Sequence, residues 1–300
     1  MTDKKQITTV SDGLLIRAPA KINLSLLIAG RRPDGFHEIE TVMAKVDFFD
    51  EILIEPGLKA SIELVCQGPE WAPPGEKNLA YQAAKMLLNA CGQWADIRIT
   101  LTKNIPAGRG LGVASSDAAA TLIGVNKYLN FGLPNRQLAK LAKQLGSDVP
   151  FFLDGPLAFC TGKGEKIKKL AKKFNFLALL ILPDVSVSTK KVYVNYRHNR
   201  PLYEKLNTRI NSYIQKNRID LVSKMCANML ETSCFSLYKE LAELKAKIES
   251  LGIGPLCLSG SGSAMFCIMN SRDEERAREN TYKLEQQIGC KSIIVNNNRW

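Results

Sequence analysis

The order of apolar and polar residues along the chain predicts strands and helices in alternation. A strand, an interruption at Pro19 and a second strand are predicted by "LLIRAPAKINLSLLI", with Leu24, Leu26 and Ile28 alternating with smaller or polar residues. A helix ending at Gly92 is predicted by "NLAYQAAKMLLNACG", whose apolar residues recur at helical spacing. Alternation returns in "ADIRITLTKNIP", which predicts a strand leading into a run of glycines.

The rest of the chain continues this mixture. Helices are predicted by "AAATLIGVNKYLN" and "NRQLAKLAKQLG", strands by "LAFCTG", "FLALLILPDVSVST" and "GPLCLSGSGSAMFCIMN", and a turn by Pro33-Asp34-Gly35. A chain of 300 residues is long enough for two cores. Because a lysine-rich run follows "LAFCTG", we expect one domain over 1–162 and another over 163–300.

Composition narrows the class of protein. The chain is 45% hydrophobic and 23% charged, as ordinary globular enzymes are. Its longest apolar run, "FNFLALLIL", is too short to cross a membrane, and the polar beginning does not resemble a signal peptide, so we expect a cytoplasmic protein with no membrane partner. Eight cysteines without a C-x-x-C pair indicate buried free thiols, and with two histidines a zinc site is not expected.

The net charge of +12 is concentrated in one part of the chain. Residues 163–225 carry 15 Lys and Arg against 4 Asp and Glu, beginning with "GEKIKKLAKKF". No aromatic residues interleave the lysines of "GEKIKKLAKKF", so the basic segment is interpreted as a solvated face and no nucleic-acid partner is expected.

The segment "NIPAGRGLGVASSDAAATLIG" combines a preceding strand, a glycine-rich turn and the start of a helix. Glycines allow backbone amides to converge on an anion, and a helix N-terminus adds free donors and a favourable dipole. The segment matches neither the P-loop nor the dinucleotide-binding spacing. It therefore predicts a phosphate site, with tight packing and a capping serine or Asp117 as the alternative.

Three further stretches carry candidate chemistry. In "APAKINLSL", Lys21 and Asn23 lie two apart in a strand and so share a face. In "LGSDVPFFL", Asp148 lies between a helix end and Pro150, where a helix cap is the alternative to a catalytic carboxylate. A second glycine turn follows an apolar strand in "LSGSGSAMF".

The chain resembles the GHMP kinase superfamily through "APAKINLSL", "RRPDGFHEIET", "PAGRGLGVASSDAA", "LGSDVPFF" and "LSGSGSAMF", in this order. The resemblance implies an α+β fold of two domains, the first like domain 2 of ribosomal protein S5 and the second ferredoxin-like, with the active site between them. "DGFHEIET" and "GSDVPFF" are similar to the branch that phosphorylates the 2-hydroxyl of 4-diphosphocytidyl-2-C-methyl-D-erythritol in the non-mevalonate isoprenoid pathway. ATP and Mg²⁺ are the implied cofactors, and a monomer or homodimer the implied assembly.

The same resemblance implies roles for individual residues. Asp148 matches the general base and Lys21 its partner. Ser115 or Ser116 matches the hydroxyls near the metal and phosphates, and Ser116 is the candidate for Mg²⁺. The ATP-binding positions are Pro106, Ala107, Gly108, Arg109, Gly110, Leu111, Gly112, Val113, Ala114, Ser115, Ser116, Lys103 and Asn78. Of these, Lys103 and Asn78 match adenine-site positions. The acceptor-binding positions are Asn23, Phe36, His37, Thr189 and Tyr193.

Several positions depart from the family pattern. Arg109, Val113 and Ala114 stand where relatives often have glycine, which predicts a less permissive backbone in the loop. Phe36 replaces a common tyrosine and keeps its stacking face. Asn78 is also predicted to cap the helix that follows it.

Other functions fit parts of the sequence. Homoserine, mevalonate and galactose kinases share the glycine loop but are not expected to carry "DGFHEIET". A binding or regulatory protein could keep the fold without catalysis, although Lys21 and Asp148 argue against it. An RNA-binding role would use the basic segment and show a steep dependence on salt.

Overall fold

Two sheets and ten helices make up the described part of the computed structural model, which covers residues 5–58, 61–170, 174–298 and 300. The strands are β1 (Ile7–Val10), β2 (Gly13–Arg31), β3 (His37–Pro56), β4 (Ile62–Gln67), β5 (Ile97–Thr102), β6 (Leu157–Gly162), β7 (Lys166–Lys169), β8 (Leu177–Leu182), β9 (Cys257–Leu258), β10 (Met265–Met269) and β11 (Lys291–Asn296). The helices are α1 (Leu79–Ala90), α2 (Val113–Tyr128), α3 (Asn135–Leu145), α4 (Val149–Leu153), α5 (Thr189–Asn195), α6 (Arg200–Gln215), α7 (Ile219–Lys224), α8 (Glu231–Leu237), α9 (Lys239–Ser250) and α10 (Glu274–Lys283).

The first sheet contains β1 to β7 and is organised around the long strand β3. Its main order is β1-β2-β3-β5-β4, while β6 pairs with the other half of β3 and with β7. One half of β3 therefore pairs with β5 and the other half with β6. Helices α1 to α4 cover this sheet over a core that includes Ile16, Ile52 and Leu122.

Strand β2 differs from the prediction in one respect. The chain does not break at Pro19: β2 runs for 19 residues, and a register shift between Pro19 and Ala20 accommodates the proline. Nearly all of β2 is buried, because α2 packs against it and so do α6 and α7 from the second half of the chain. Burial on both faces explains why Leu24, Leu26 and Ile28 show only a weak alternation.

The second sheet has the order β11-β8-β10-β9 and is antiparallel throughout its described pairs. Helices α5 to α10 belong to this half of the chain. Strand β7 lies beyond residue 162 but pairs with β6 of the first sheet. The domain boundary at residue 162 therefore stays a prediction. Lys166, Lys168 and Lys169 of the basic run are exposed, and residues 171–173 of that run lie outside the described residues.

The expectation of free thiols is wrong for two of the eight cysteines. Cys226, just after α7, is joined to Cys257 at the start of β9 by a disulfide. The two lie 31 positions apart, and the fold brings their Cα atoms within 4.8 Å of each other. In the part of the chain that the structure describes, no helix is long and apolar enough to span a membrane.

Candidate active site

A single large cleft brings the predicted site residues together. Its volume is about 1270 Å³, and its lining comes from both halves of the chain. Every predicted site residue lies on it except Pro106 and Ser116, which are both buried next to it in sequence. The tertiary structure therefore joins motifs that are more than 160 positions apart in the chain, such as Lys21 and Tyr193.

The glycine loop precedes α2, as predicted. Gly108, Gly110 and Gly112 have left-handed backbones with φ of 71°, 75° and 69°. Gly112 is the N-cap of α2 and provides no capping side chain, so the amides of the first turn keep their capacity to bind an anion. Arg109 and Val113 do not have left-handed backbones. The loop can therefore adopt its conformation without glycine at these two positions.

The second glycine turn, noticed in the sequence without an assigned role, packs directly against this loop. Ser259 Oγ donates to the Gly110 carbonyl at 3.0 Å, and the Ala264 amide donates to the Arg109 carbonyl at 3.1 Å. Ser261 Oγ and Thr189 Oγ1 lie 2.8 Å apart, which connects the turn to α5. The turn between β9 and β10 thus supports the glycine loop from the second sheet.

Lys21 connects the glycine loop to Asp148. Its Nζ donates to the Gly110 carbonyl at 2.9 Å and to Asn23 Oδ1, and lies 4.0 Å from Asp148 Oδ2. Burial lowers the pKa of Lys21, and the Asp148 carboxylate partly opposes this by raising it. Asn23 is held in turn by Thr41, whose Oγ1 accepts from Asn23 Nδ2 at 2.8 Å.

Asp148 occupies the N-cap position of α4, but its side chain makes no capping hydrogen bond. The alternative of a helix-capping aspartate is therefore wrong for this side chain. Its carboxylate is about a third exposed and lies on the cleft, in contrast to the almost fully buried Lys21. The pair places a hydrogen-bond acceptor and a cation beside the loop.

Lys103 and Asn78 make contacts that the sequence only partly predicts. Asn78 caps α1 through its Oδ1, which accepts from the Ala80 amide at 2.9 Å. Lys103 Nζ contacts Asp50 and lies 2.8 Å from Asp117 Oδ2, and all three side chains are nearly fully buried. Lys103 therefore reaches the cleft wall with its ammonium already paired, and its proposed contact with adenine stays a prediction.

Aromatic side chains form one part of the cleft lining, the aromatic end. The His37 ring lies 5.3 Å from the Tyr193 ring and 5.7 Å from the Tyr196 ring, measured between centroids. Burial lowers the pKa of His37, which favours the neutral imidazole, with one nitrogen as donor and the other as acceptor. Phe36 is 56% exposed, with Lys163 Nζ 4.6 Å from its ring centroid.

Sequence reasoning missed several cleft residues. Tyr196 and His198 line the cleft and follow Tyr193 closely in the sequence. Their ring side chains so near to Tyr193 could have indicated a place in the same site. Lys163 was included only in the basic run, because nothing local indicates that the turn between β6 and β7 reaches Phe36. Trp71 also lines the cleft and carried no signal.

Comparison with known proteins agrees with this geometry. Residues 78–156 match the model of the GHMP kinase N-terminal domain, and residues 210–283 match that of the GHMP kinase C-terminal domain. The 4-diphosphocytidyl-2-C-methyl-D-erythritol kinase of Bacillus cereus strain B4264 is 38% identical over 260 residues, which are 86% of this chain and 88% of the relative. The chain belongs to the GHMP kinase family.

Solved structures of two other kinases have the same fold. A crystal structure of 4-(cytidine 5'-diphospho)-2C-methyl-D-erythritol kinase superposes with a TM-score of 0.75 at 33% identity, covering 95% of this chain and all of that one. Homoserine kinase from Cytophaga hutchinsonii, at 20% identity, superposes with a TM-score of 0.74 over 99% of this chain and 98% of its own. The similarity to homoserine kinase shows a shared fold and nothing about function.

The chain of this GHMP kinase offers few ligands for a metal ion. Among its described residues, no group of three His, Cys, Asp or Glu side chains is arranged to hold one. Ser116 Oγ, in the first turn of α2, is buried and has no hydrogen-bond partner in the described structure. A single protein hydroxyl is compatible with a Mg²⁺ site, because Mg²⁺ keeps several waters and takes its other ligands from nucleotide phosphates.

Proposed function

We propose that this GHMP kinase transfers the γ-phosphoryl group of ATP to the 2-hydroxyl of 4-diphosphocytidyl-2-C-methyl-D-erythritol. The observation that carries the proposal is the 4.0 Å approach of Lys21 Nζ to Asp148 Oδ2 beside Gly110 of the glycine loop. The names of the relatives that are 38% and 33% identical supply the acceptor.

Asp148 acts as the general base. Its carboxylate accepts the proton of the acceptor hydroxyl while that oxygen forms its bond to phosphorus, and ADP leaves as the bond to the β-γ bridging oxygen breaks. The Lys21 ammonium offsets the charge that develops on the transferred group. The hydrogen bond from Lys21 to the Gly110 carbonyl fixes the position of the base relative to the glycine loop.

The glycine loop and the N-terminus of α2 bind the phosphates of ATP through backbone amides. Ser116 would hold Mg²⁺ together with the nucleotide phosphates, and when bound the ion neutralises charge on the β- and γ-phosphates. Asn78 and Lys103 lie on the cleft wall assigned to adenine.

The aromatic end of the cleft binds the cytidine group. His37 offers one donor and one acceptor to a base edge, and Phe36 and Tyr193 supply faces for stacking. Asn23 and Thr189 contact the acceptor nearer the loop. A hydrogen-bonding edge of this kind discriminates strongly against acceptors that lack its partner.

The test is release of ADP by the purified protein with Mg-ATP and one acceptor at a time. We expect turnover with the cytidyl alcohol and none with homoserine, mevalonate or galactose. Turnover with one of the other three would overturn the acceptor assignment and keep the kinase, whereas ATP binding without any turnover would favour a regulatory protein.

Substituting the proposed base gives a sharper prediction. Asp148→Asn removes the proton acceptor at nearly constant shape, so kcat should fall by about 10²–10⁴ while the Kd of ATP changes little. The control is Asp220→Asn, a surface carboxylate paired with Arg218 away from the cleft. An Asp148→Asn protein with the kcat of the wild type would remove Asp148 from this role.

A further inference from the structure

Lys45, in the middle of β3, is a buried cation that the chemistry above does not use. It is 1% exposed and does not line the cleft. Its Nζ donates to the Phe152 carbonyl at 3.0 Å and to the Asp154 carbonyl at 2.6 Å. Both acceptors belong to the C-terminal end of α4 and the residue that follows it.

Helix α4 begins at Val149, directly after its N-cap residue Asp148. It has five residues, so its last carbonyls have no partner within the helix. The Phe151 amide donates to the Asp148 carbonyl at 3.2 Å, and the Asp154 amide donates to the Phe151 carbonyl at 3.2 Å. These two bonds join Asp148 to Asp154 in one short rigid unit, with Lys45 bound at the end opposite the carboxylate.

The position of Lys45 in the sheet relates it to the active site. Lys45 is the direct partner of Lys21 in the antiparallel register of β2 and β3. Lys21 reaches the Asp148 end of α4 and Lys45 reaches the other end. Adjacent strands thus bind both ends of the unit that carries the proposed base.

The charges around Lys45 explain how it is tolerated. Burial lowers the pKa of Lys45 to about 7; the Asp154 carboxylate raises it, and Lys169 lowers it again. Asp154 Oδ1 is itself paired with Lys169 Nζ at 2.8 Å. A neutral amine still has two N–H donors, enough for the two carbonyls it contacts.

We propose that Lys45 is a positioning residue for catalysis, which fixes Asp148 relative to Lys21 by binding the C-terminal end of α4. The proposal rests on the role of Asp148 in the proposed function. Lys45 touches neither substrate, so its effect is expected in kcat and not in the Kd of ATP. If Lys45 had a purely structural role, its removal would lower the stability of the protein without acting selectively on kcat.

The test is Lys45→Met, which keeps an unbranched side chain, one atom shorter, and removes its donors. We expect kcat to fall at least tenfold with the Kd of ATP changed less than twofold, while the exposed Lys168→Met on β7 leaves both unchanged. In an Asp148→Asn background, Lys45→Met should cause no further loss, because both act through one carboxylate. Equal losses in both backgrounds, or an unchanged kcat, would overturn the proposal.

Hydrogen–deuterium exchange gives a readout that needs no acceptor. In Lys45→Met we expect faster exchange at residues 148–156, with α2 and β8 protected as in the wild type; unchanged exchange at 148–156 would overturn the proposal. Lys45→Gln, which retains one amide donor group, replaces Lys45→Met in both tests if the latter does not fold. A wild type inactive with every acceptor would contradict the proposed function, whereas an active wild type with an unaffected Lys45 variant would contradict only this inference.

Discussion

Lys103 is the ammonium in a buried cluster that contains two carboxylates. Burial by itself lowers the pKa of Lys103, but Asp117 and Asp50 more than compensate, so the net pKa is raised. Burial raises the pKa of Asp117 to about 8, against the lowering effect of Lys103. Asp50 is held in addition by the backbone amides of Asn104 and Ile105, at 2.6 and 2.9 Å. The cluster thus connects β3, the strand before the glycine loop and the first turns of α2.

Removing this ammonium should be costly. Lys103→Met leaves both carboxylates buried without a cation, and we expect the free energy of unfolding to fall by about 3–5 kcal/mol. Urea unfolding measures the effect, and the control is Lys85→Met, which breaks an exposed pair with Glu76 and should leave the midpoint unchanged. Equal midpoints for wild type and Lys103→Met would contradict this account.

The loss should also depend on pH. Without Lys103 the pKa of Asp117 rises further in the folded chain, so the folded state holds a proton that the unfolded state releases near pH 4. Asp117 of the folded wild type holds the same proton up to about pH 8, so the difference in the free energy of unfolding between variant and wild type should stay constant from about pH 4 to 8 and grow above pH 8. A difference that stays constant above pH 8 as well would mean that removal of Lys103 does not raise the pKa of Asp117.

The glycine loop and the turn between β9 and β10 depend on each other at Gly110. A Cβ at this position would lie 2.1 Å from the Ser259 carbonyl oxygen and 3.1 Å from that of Gly262. Absence of a side chain therefore serves contact with the second sheet, in addition to the proposed approach of the nucleotide. The sequence pattern left a phosphate site and tight packing as alternatives, and the crowding at Gly110 confirms the packing.

Gly108 provides a matched control for Gly110, because both have left-handed backbones and only Gly110 is crowded by backbone. A Cβ at Gly108 would meet Ser186 Oγ alone, at 3.3 Å. We expect Gly108→Ala to lower the free energy of unfolding by about 1 kcal/mol and Gly110→Ala by about 3 kcal/mol, since overpacking adds to the backbone strain. Thermal or urea unfolding of both variants tests this, and equal losses would contradict the role of Ser259.

The cleft is formed from both sheets, and its two ends should respond separately to substitution. His37→Ala removes the neutral imidazole at the aromatic end, far from the glycine loop in sequence. We expect the KM of the cytidyl alcohol to rise about tenfold, which corresponds to about 1.4 kcal/mol, with the KM of ATP unchanged. Steady-state kinetics with each substrate varied in turn measure this; an increase confined to ATP would reverse the assignment of the two ends.

Local patterns in the sequence were sufficient for the elements and for most of the site. The predicted helices at α1, α2 and α3 and the turn at Pro33-Asp34-Gly35 are confirmed, because helix spacing, stop signals and turn residues act over a few positions. The glycine loop before α2 is confirmed for the same reason. Membership of the GHMP kinase family followed from motifs that can be read without coordinates.

Other features depend on residues that meet only in the folded chain. There are three such features: β2 continues past Pro19, Cys226 forms a disulfide with Cys257, and Ser259 supports Gly110. No local signal in the sequence indicates any of them. The same holds for Lys45 and its contacts with α4, since a lysine in a strand gives no sign of burial. The sequence by itself thus determined the elements, the family and the chemical groups of the site, which follow from short-range periodicity and motifs. The tertiary structure decided which groups pair, which are buried and which backbone positions are crowded, because those properties arise from packing between distant segments.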